Sequence, residues 1–351
     1  KDERAALKKG YKNLAEYRDE RTRQRVSKVA GIAAKSGTMA ATKNQKLSSV
    51  VGKGAEKAAY KGVEFAQRKT REKWAKNPDA AYDYMLSEYP FLQEWVASLK
   101  HKGELKETEL TASDGTILHA YYIRAKQPTK KTAVIIHGHK NNAINMLHIA
   151  YLYSHDLGFN VLLPDLRAHG KSSGNHIQMG WNDRLDVMLW MDYANTLFGG
   201  DTQMVVHGIS MGAATTMMLS GEEQPDYVKA YVEDCGYTSV WDEFAHVAKQ
   251  DFHLPEMPFL YVADLFCKWR YGWSFKEASA VEQLRKADRP MLFIHGDADT
   301  YVPTQMVHPL YEAKQGEKEL WIVPGVAHAT SYHDYPEEYT NKVREFVRKH
   351  L

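Results

Sequence analysis

A serine hydroxyl is a poor nucleophile at neutral pH. It needs an imidazole to take its proton and a carboxylate to fix the imidazole tautomer and stabilise the imidazolium. The chain carries a serine in a setting suited to attack, Gly208-Ile209-Ser210-Met211-Gly212. Two later stretches hold the partners: His295-Gly296-Asp297-Ala298-Asp299-Thr300-Tyr301-Val302-Pro303 and Pro324-Gly325-Val326-Ala327-His328-Ala329. The order serine, aspartate, histidine is one that such a set can take, and its chemistry is acyl transfer. Residues 204–206 arrive as a buried strand would and residues 213–219 leave as a helix, so the pentapeptide reads as a nucleophile elbow. A reversal that sharp strains the serine backbone, and only glycine at 208 and 212 lets the flanking segments approach without Cβ clashes. The first amide of the helix, the Met211 N–H, then points with the helix dipole at whatever the serine attacks and can stabilise an oxyanion.

Positioning these groups takes a sheet, and the chain supplies its strands at regular intervals. Residues 105–112 and 116–124 form a hairpin pattern around Ser113-Asp114-Gly115. Residues 132–136 run into His137-Gly138-His139-Lys140-Asn141-Asn142, a helix is expected over 144–155, and residues 160–163 lead to Pro164-Asp165-Leu166-Arg167-Ala168-His169-Gly170. A helix over 181–197 precedes the strand 203–206 before the elbow. Further strands fall at 229–232, ending in Glu233-Asp234-Cys235-Gly236, at 291–294 and at 319–323, with a closing helix over 337–350. Upstream, Asn77-Pro78-Asp79 opens a helix through Tyr84 and Leu86 to Trp95 and Leu99. Strands alternating with helices imply an α/β fold, a mostly parallel sheet covered on both faces with the hairpin as an antiparallel edge. In such a sheet ligands bind beyond the carboxyl ends of the strands, where the serine, aspartates and histidine fall.

The 351 residues, 44% hydrophobic, suffice for a large core. The net charge of +2 hides a split: residues 1–77 hold 21 basic against 8 acidic residues, and the remainder 25 against 36. The first segment reads as a basic Ala/Lys-rich helical or partly disordered arm, helical over 1–34 and 55–76 with a flexible stretch over 31–54. Its charge suits an anionic membrane surface; without groove-reading or aromatic-interleaved motifs, no nucleic acid is expected. Residues 78–351 form the second domain. Cys235 and Cys267 lack C-x-x-C spacing and are expected as buried thiols. No run reaches 18 apolar residues. Because the chain starts at Lys1, an upstream segment could have been removed, so cytoplasmic, membrane-associated and exported placements all stay open.

Across roughly residues 105–351 the chain resembles the α/β-hydrolases, and most of all bacterial single-domain serine hydrolases of the S9 or S33 type. The resemblance rests on Leu163-Pro164-Asp165-Leu166-Arg167-Ala168-His169-Gly170, on the elbow, on Asp234-Cys235-Gly236-Tyr237-Thr238-Ser239, and on the two stretches carrying Asp299 and His328. It implies an α/β-hydrolase fold with a small helical cap. It also implies Ser210 as nucleophile, Asp299 as acid, His328 as base, and an oxyanion hole from the Met211 N–H with a second N–H at His139. Ala168, where the family usually has glycine, and Ala213 depart from the pattern.

Alternatives remain at several positions. Asp297 or Asp234 could take the role of the acid. His137, His207 and His295 precede glycines at strand ends and read as structural. The pair His137 and His139 lacks a third ligand at recognisable spacing, so neither metal nor cofactor is expected. The cap is expected over about residues 237–285. Its first 39 positions hold eleven aromatics, Trp241 and Phe244 among them, which either line an acyl pocket or pack the insertion. The expected activity is hydrolysis of a small carboxylic ester, short or aromatic in its acyl part. The rivals are a peptidase acting on short peptides, with Glu233 and Asp234 as an acidic site for the peptide amine, and a binding protein that kept the fold without the activity.

Overall fold

A computed structural model describes residues 79–252 and 259–351. The expectations for residues 1–77, the basic arm and its helices, lie outside the described residues. One unit comprises residues 79–239 and 279–351; residues 240–278 form another.

The first unit opens with α1 (Ala80–Glu88), a 3-10 turn (Pro90–Leu92) and α2 (Gln93–His101). The sequence pattern suggested one continuous helix here. Pro90 divides it, because proline has no N–H to donate and its ring clashes with the preceding turn. Next come β1 (Lys106–Thr111) and β2 (Ile117–Ile123), paired antiparallel across a turn in which Gly115 adopts φ +81° and Asp114 Oδ1 accepts the Thr116 N–H at 3.0 Å. The chain continues through β3 (Lys131–Ile136), α3 (Leu147–Tyr151), β4 (Asn160–Asp165), α4 (Asp183–Leu197), β5 (Gln203–Ile209), α5 (Met211–Ser220) and β6 (Val228–Asp234). The helix expected over 144–155 is split: Ile144–Met146 is 3-10, and Leu152–Asp156 widens into a π-turn.

The insertion between Ser239 and Ser279, which meet in an antiparallel bridge, contains α6 (Val240–Phe252) and α7 (Phe259–Tyr271). After it come α8 (Ala280–Leu284), β7 (Met291–Gly296), α9 (Val307–Ala313), β8 (Lys318–Val323), α10 (Ser331–Asp334) and α11 (Pro336–His350). Ser279 caps α8, its side chain accepting the Glu282 N–H. Within the insertion's own unit, Trp241 packs edge-on against Tyr261 at 4.7 Å, Phe244 against Phe275 at 4.8 Å, and Lys276 Nζ lies 4.3 Å from the centre of the Trp241 ring. Those rings are used in packing the insertion on itself.

The eight strands run β1-β2-β4-β3-β5-β6-β7-β8, with β1 and β2 antiparallel to the next strand and the rest parallel. Central strands read as near-continuous apolar runs because both faces are covered. Alternate residues of β5 and β6, Val205 with Ala230 and Val232, join a core with Ile149, Val343 and Phe346. Between β3 and β5 the winding reverses, the place at which ligands bind beyond the strand ends in sheets of this kind. Among the described residues no helix is long and apolar enough to cross a membrane.

Candidate active site

Ser210 sits between β5 and α5 with φ 59° and ψ −120°, a conformation that costs on the order of 1–3 kcal/mol in a non-glycine residue. The turn is possible because a Cβ on Gly208 would lie 2.1 Å from the Gly212 carbonyl oxygen, and one on Gly212 would lie 2.2 Å from that of Ile136. The Ser210 N–H is anchored on the Asp234 carbonyl at 2.8 Å. Met211 is the first residue of α5, so its N–H has no acceptor within the helix. Gly138, at the end of β3, comes close to the serine: a Cβ there would meet Ser210 Cβ at 3.3 Å, which places the loop carrying His139 against the elbow.

His328 follows β8 and closes on the serine. Its Nε2 lies 2.8 Å from Ser210 Oγ, and its Nδ1 lies 2.7 Å from Asp299 Oδ2. If Nε2 accepts the serine proton, Nδ1–H donates to the carboxylate, the tautomer that a base needs. Asp299 Oδ1 accepts the N–H groups of Tyr301 at 2.9 Å and Val302 at 3.0 Å, and its side chain is sealed from solvent. Burial would push this carboxyl up, but hydrogen bonds from His295 and then His328 outweigh it and hold it at about 2.

Behind Asp299, His295 Nε2 donates to the Val302 carbonyl at 3.0 Å and lies 3.4 Å from Asp299 Oδ2. Its Nδ1 is buried without a partner, and so is Oε1 of its neighbour Glu233. Glu233 Oε2 accepts the Gly236 N–H at 3.0 Å, and burial pushes its carboxyl up to about 8 against the pull of His295.

The other carboxylates are engaged elsewhere. Asp297 Oδ1 accepts the Gly325 N–H at 2.6 Å and ties the two loops together. Asp234 accepts from Tyr339 Oη at 3.0 Å and from Ser331 Oγ at 3.3 Å. Because the Tyr339 proton goes to Asp234, the tyrosine oxygen accepts from His207 Nε2 at 2.9 Å, and His207 Nδ1 must then accept from Tyr153 at 3.2 Å. Burial pushes His207 down to about 3, in keeping with this neutral ring. His137 takes the Leu166 N–H on Nε2 at 2.9 Å and therefore donates from Nδ1 to the Gly138 carbonyl. His169 likewise accepts the Lys140 N–H and donates to the Arg167 carbonyl. These rings brace the loop that bears His139.

The turn after β4 is a structural latch beside the site. Asp165 binds the N–H groups of Ala143 at 2.8 Å and Lys171 at 2.9 Å, and Arg167 forks onto Asp186 with two bonds of 2.8 Å. Ala168 adopts φ +64°, the conformation for which glycine is the better residue. Trp241 and Phe244 belong to the insertion's unit.

Cys235 and Cys267 are buried and in no disulfide, as expected. Among the described residues, one group with metal-ligand spacing is Cys235 with Asp299 and His328, the last two already bonded to each other, and another is the surface set Glu317, Glu319 and His350. Neither contains His137 or His139. Sequence reasoning missed Glu233 with His295 as a pair and Tyr301, whose ring centre is 4.9 Å from that of His328. Pairing of β6 with β7 at Glu233 and Phe293 puts Glu233 and His295 on one face, a register that no local spacing in the sequence marks.

The eight-stranded, mostly parallel sheet flanked by helices is that of an α/β-hydrolase. The chain belongs to the prolyl oligopeptidase family, whose profile matches residues 146–351. Among its relatives is YqkD of Bacillus subtilis, a protein uncharacterised in its own right, 33% identical over 66% of this chain and 76% of that one. YfhR of Escherichia coli strain K12, equally uncharacterised, is 25% identical over 69% and 80%. A solved esterase of Pyrococcus furiosus, Pf2001, is similar at 25% identity and a TM-score of 0.58, covering 71% of this chain and 92% of its own. Est1E of Butyrivibrio proteoclasticus, solved with ferulic acid, shares the fold at 22% identity and a TM-score of 0.53, covering 69% and 98%.

Proposed function

We propose that this hydrolase is a serine esterase that cleaves small carboxylic esters, short or aromatic in the acyl part, through an acyl-enzyme. The observation that carries the reading is the continuous line of hydrogen bonds from Ser210 Oγ through His328 to Asp299, at 2.8 and 2.7 Å. Ser210 Oγ attacks the carbonyl carbon while its proton passes to His328 Nε2. Asp299, an ionised and water-excluded carboxylate, stabilises the imidazolium from the other side. The oxyanion is held by the N–H groups of Met211 and His139, donors fixed before charge develops and so costing no reorganisation. His328 then gives its proton to the leaving oxygen, and water repeats the sequence to release the acid.

The family name favours a second reading, an S9-type peptidase. Against it, the acidic groups that could receive a peptide amine, Glu233 and Asp234, are 0% and 1% exposed, and both bind internal donors. The similarity to a solved esterase supports the ester reading. A fluorophosphonate probe should label Ser210, and Ser210→Ala should abolish labelling in a folded protein. Short-acyl and aromatic-acyl p-nitrophenyl esters should be cleaved about 100-fold more efficiently than aminoacyl-naphthylamides, a difference of roughly 2.7 kcal/mol in transition-state stabilisation. Labelling that survives in Ser210→Ala would remove the nucleophile assignment. Amide cleavage as efficient as ester cleavage would transfer the reading to the peptidase.

A further inference from the structure

The exposed ring beside the base has no part in the scheme above. Tyr301 is 46% exposed, one of few large apolar side chains left so open, yet its ring centre stands 4.9 Å from the His328 imidazole at a tilt of 44°. Its position is fixed through the backbone, because the Tyr301 N–H is bound to Asp299 Oδ1 at 2.9 Å. The ring therefore projects from the carboxylate that orients the base and lies against the base itself. His328 is 20% exposed in its side chain whereas Asp299 is fully covered, so of the two it is the imidazole that a bound substrate can reach.

Resting on the serine esterase reading, we infer that Tyr301 is a specificity residue for the alcohol half of the substrate, an aromatic wall that favours esters whose leaving group carries an aromatic ring near the ester oxygen. The argument is geometric. The imidazole must deliver its proton from Nε2 to the leaving oxygen, so that oxygen comes within hydrogen-bond reach of His328 in the transition state. Whatever is attached to it then lies alongside the imidazole, within reach of Tyr301. The acyl half is oriented differently, by the carbonyl oxygen lying toward the Met211 N–H. Aromatic pairs in offset or edge-on contact contribute beyond their buried area, enough for about a 3- to 10-fold preference when one such pair forms. The same ring, placed against His328, also sees the imidazolium while it carries the proton, so the contact grows where the charge develops.

The test compares benzyl acetate with ethyl acetate in wild type, Tyr301→Ala, Tyr301→Leu and Tyr301→Phe. Both esters share the acyl group and leave as primary alcohols, so the ratio of their kcat/KM values reads contact with the alcohol part. The ratio should fall about 3- to 10-fold in Tyr301→Ala, fall less in Tyr301→Leu, and hold in Tyr301→Phe. The ratio for ethyl butyrate over ethyl acetate, which reads the acyl side, should be the same in all four proteins. An unchanged benzyl-to-ethyl ratio in Tyr301→Ala overturns the assignment. So does an equal loss on both esters, which would mean that the ring serves only His328, or a change confined to the acyl ratio. Fluorophosphonate labelling of Ser210 in each variant separates the two levels of the argument. No labelling of wild type removes the nucleophile and this role with it; labelling with unmoved ratios removes this role alone.

Discussion

Two carboxylates stand at the ends of neighbouring strands, Asp234 as the last residue of β6 and Asp299 just after β7, both nearly closed to water at 1% and 5% exposure. They end in opposite states. Burial pushes Asp234 up to about 6 against its hydrogen bond from Tyr339, whereas hydrogen bonds from His295 and His328 overcome burial at Asp299 and hold it at about 2. The difference lies in the donors. Asp299 receives two backbone N–H groups and stands beside two imidazoles; Asp234 receives only the hydroxyls of Tyr339 and Ser331. A neutral hydroxyl stabilises a buried anion less than an N–H of a ring that can itself carry charge. Burial alone therefore does not single out the carboxylate that can support an imidazolium.

Substituting the two tests that contrast most sharply. Asp299→Asn should lower kcat by about 10³- to 10⁴-fold with KM nearly unchanged, since an amide can present N–H to His328 and force the wrong tautomer. Asp234→Asn should cost less than about 10-fold, because an amide oxygen still accepts the Tyr339 proton and no contact to the base is lost. Asp297→Asn keeps the acceptor for the Gly325 N–H and should fall nearer still to wild type. Steady-state kinetics on one good ester would settle the order. A loss at Asp234 equal to that at Asp299 would break the comparison.

The sequence left this choice open for a physical reason. Asp234, Asp297 and Asp299 all lie at the carboxyl ends of neighbouring strands, and strand periodicity says where a residue is along the sheet, not which atom it meets across a loop. By contrast, Ser210 was legible because the backbone itself requires glycine at 208 and 212, a demand visible in the residues. The sheet was legible because its central strands are apolar throughout. The break at Pro90 follows from proline's chemistry, although the apolar period runs on across it and suggests one helix. The π-turn over Leu152–Asp156, the face shared by Glu233 and His295, and the reach of Tyr301 to His328 depend on tertiary packing and leave no local mark.

The hydroxyl network on Asp234 can be tested by removing its centre. Tyr339 donates to Asp234 and accepts from His207, so Tyr339→Phe leaves a buried carboxyl and a buried imidazole N–H each short of a partner. Leaving such groups unsatisfied costs about 1–3 kcal/mol. The loss should appear in urea unfolding as a lower midpoint with an unchanged slope, and kcat should move less than about 3-fold, because neither group touches the triad. A large fall in kcat without loss of stability would place Asp234 in the chemistry after all.

Glu233 sharpens the comparison from the other face of the same strand. It is as buried as Asp234 and also prefers to be neutral, but its facing groups are His295, Asp234 and the Gly236 N–H rather than hydroxyls. Its carboxyl titrates at about 8 in the folded protein against an ordinary value of 4.5, so between those values the native state keeps a proton that the unfolded chain releases. Where the unfolded state binds fewer protons, stability falls as pH rises. The contribution is thus fully present below about pH 4.5 and is lost progressively up to about pH 8. Glu233→Gln removes that titration while keeping an acceptor for the Gly236 N–H. The drop in unfolding free energy between pH 5 and pH 8 should therefore shrink by about 3 kcal/mol in the variant, measured by urea unfolding at both values. Asp234, raised in the same direction, keeps part of the slope in place, so the dependence should weaken and not vanish. Parallel falls in the two proteins would mean that Glu233 does not titrate in this range.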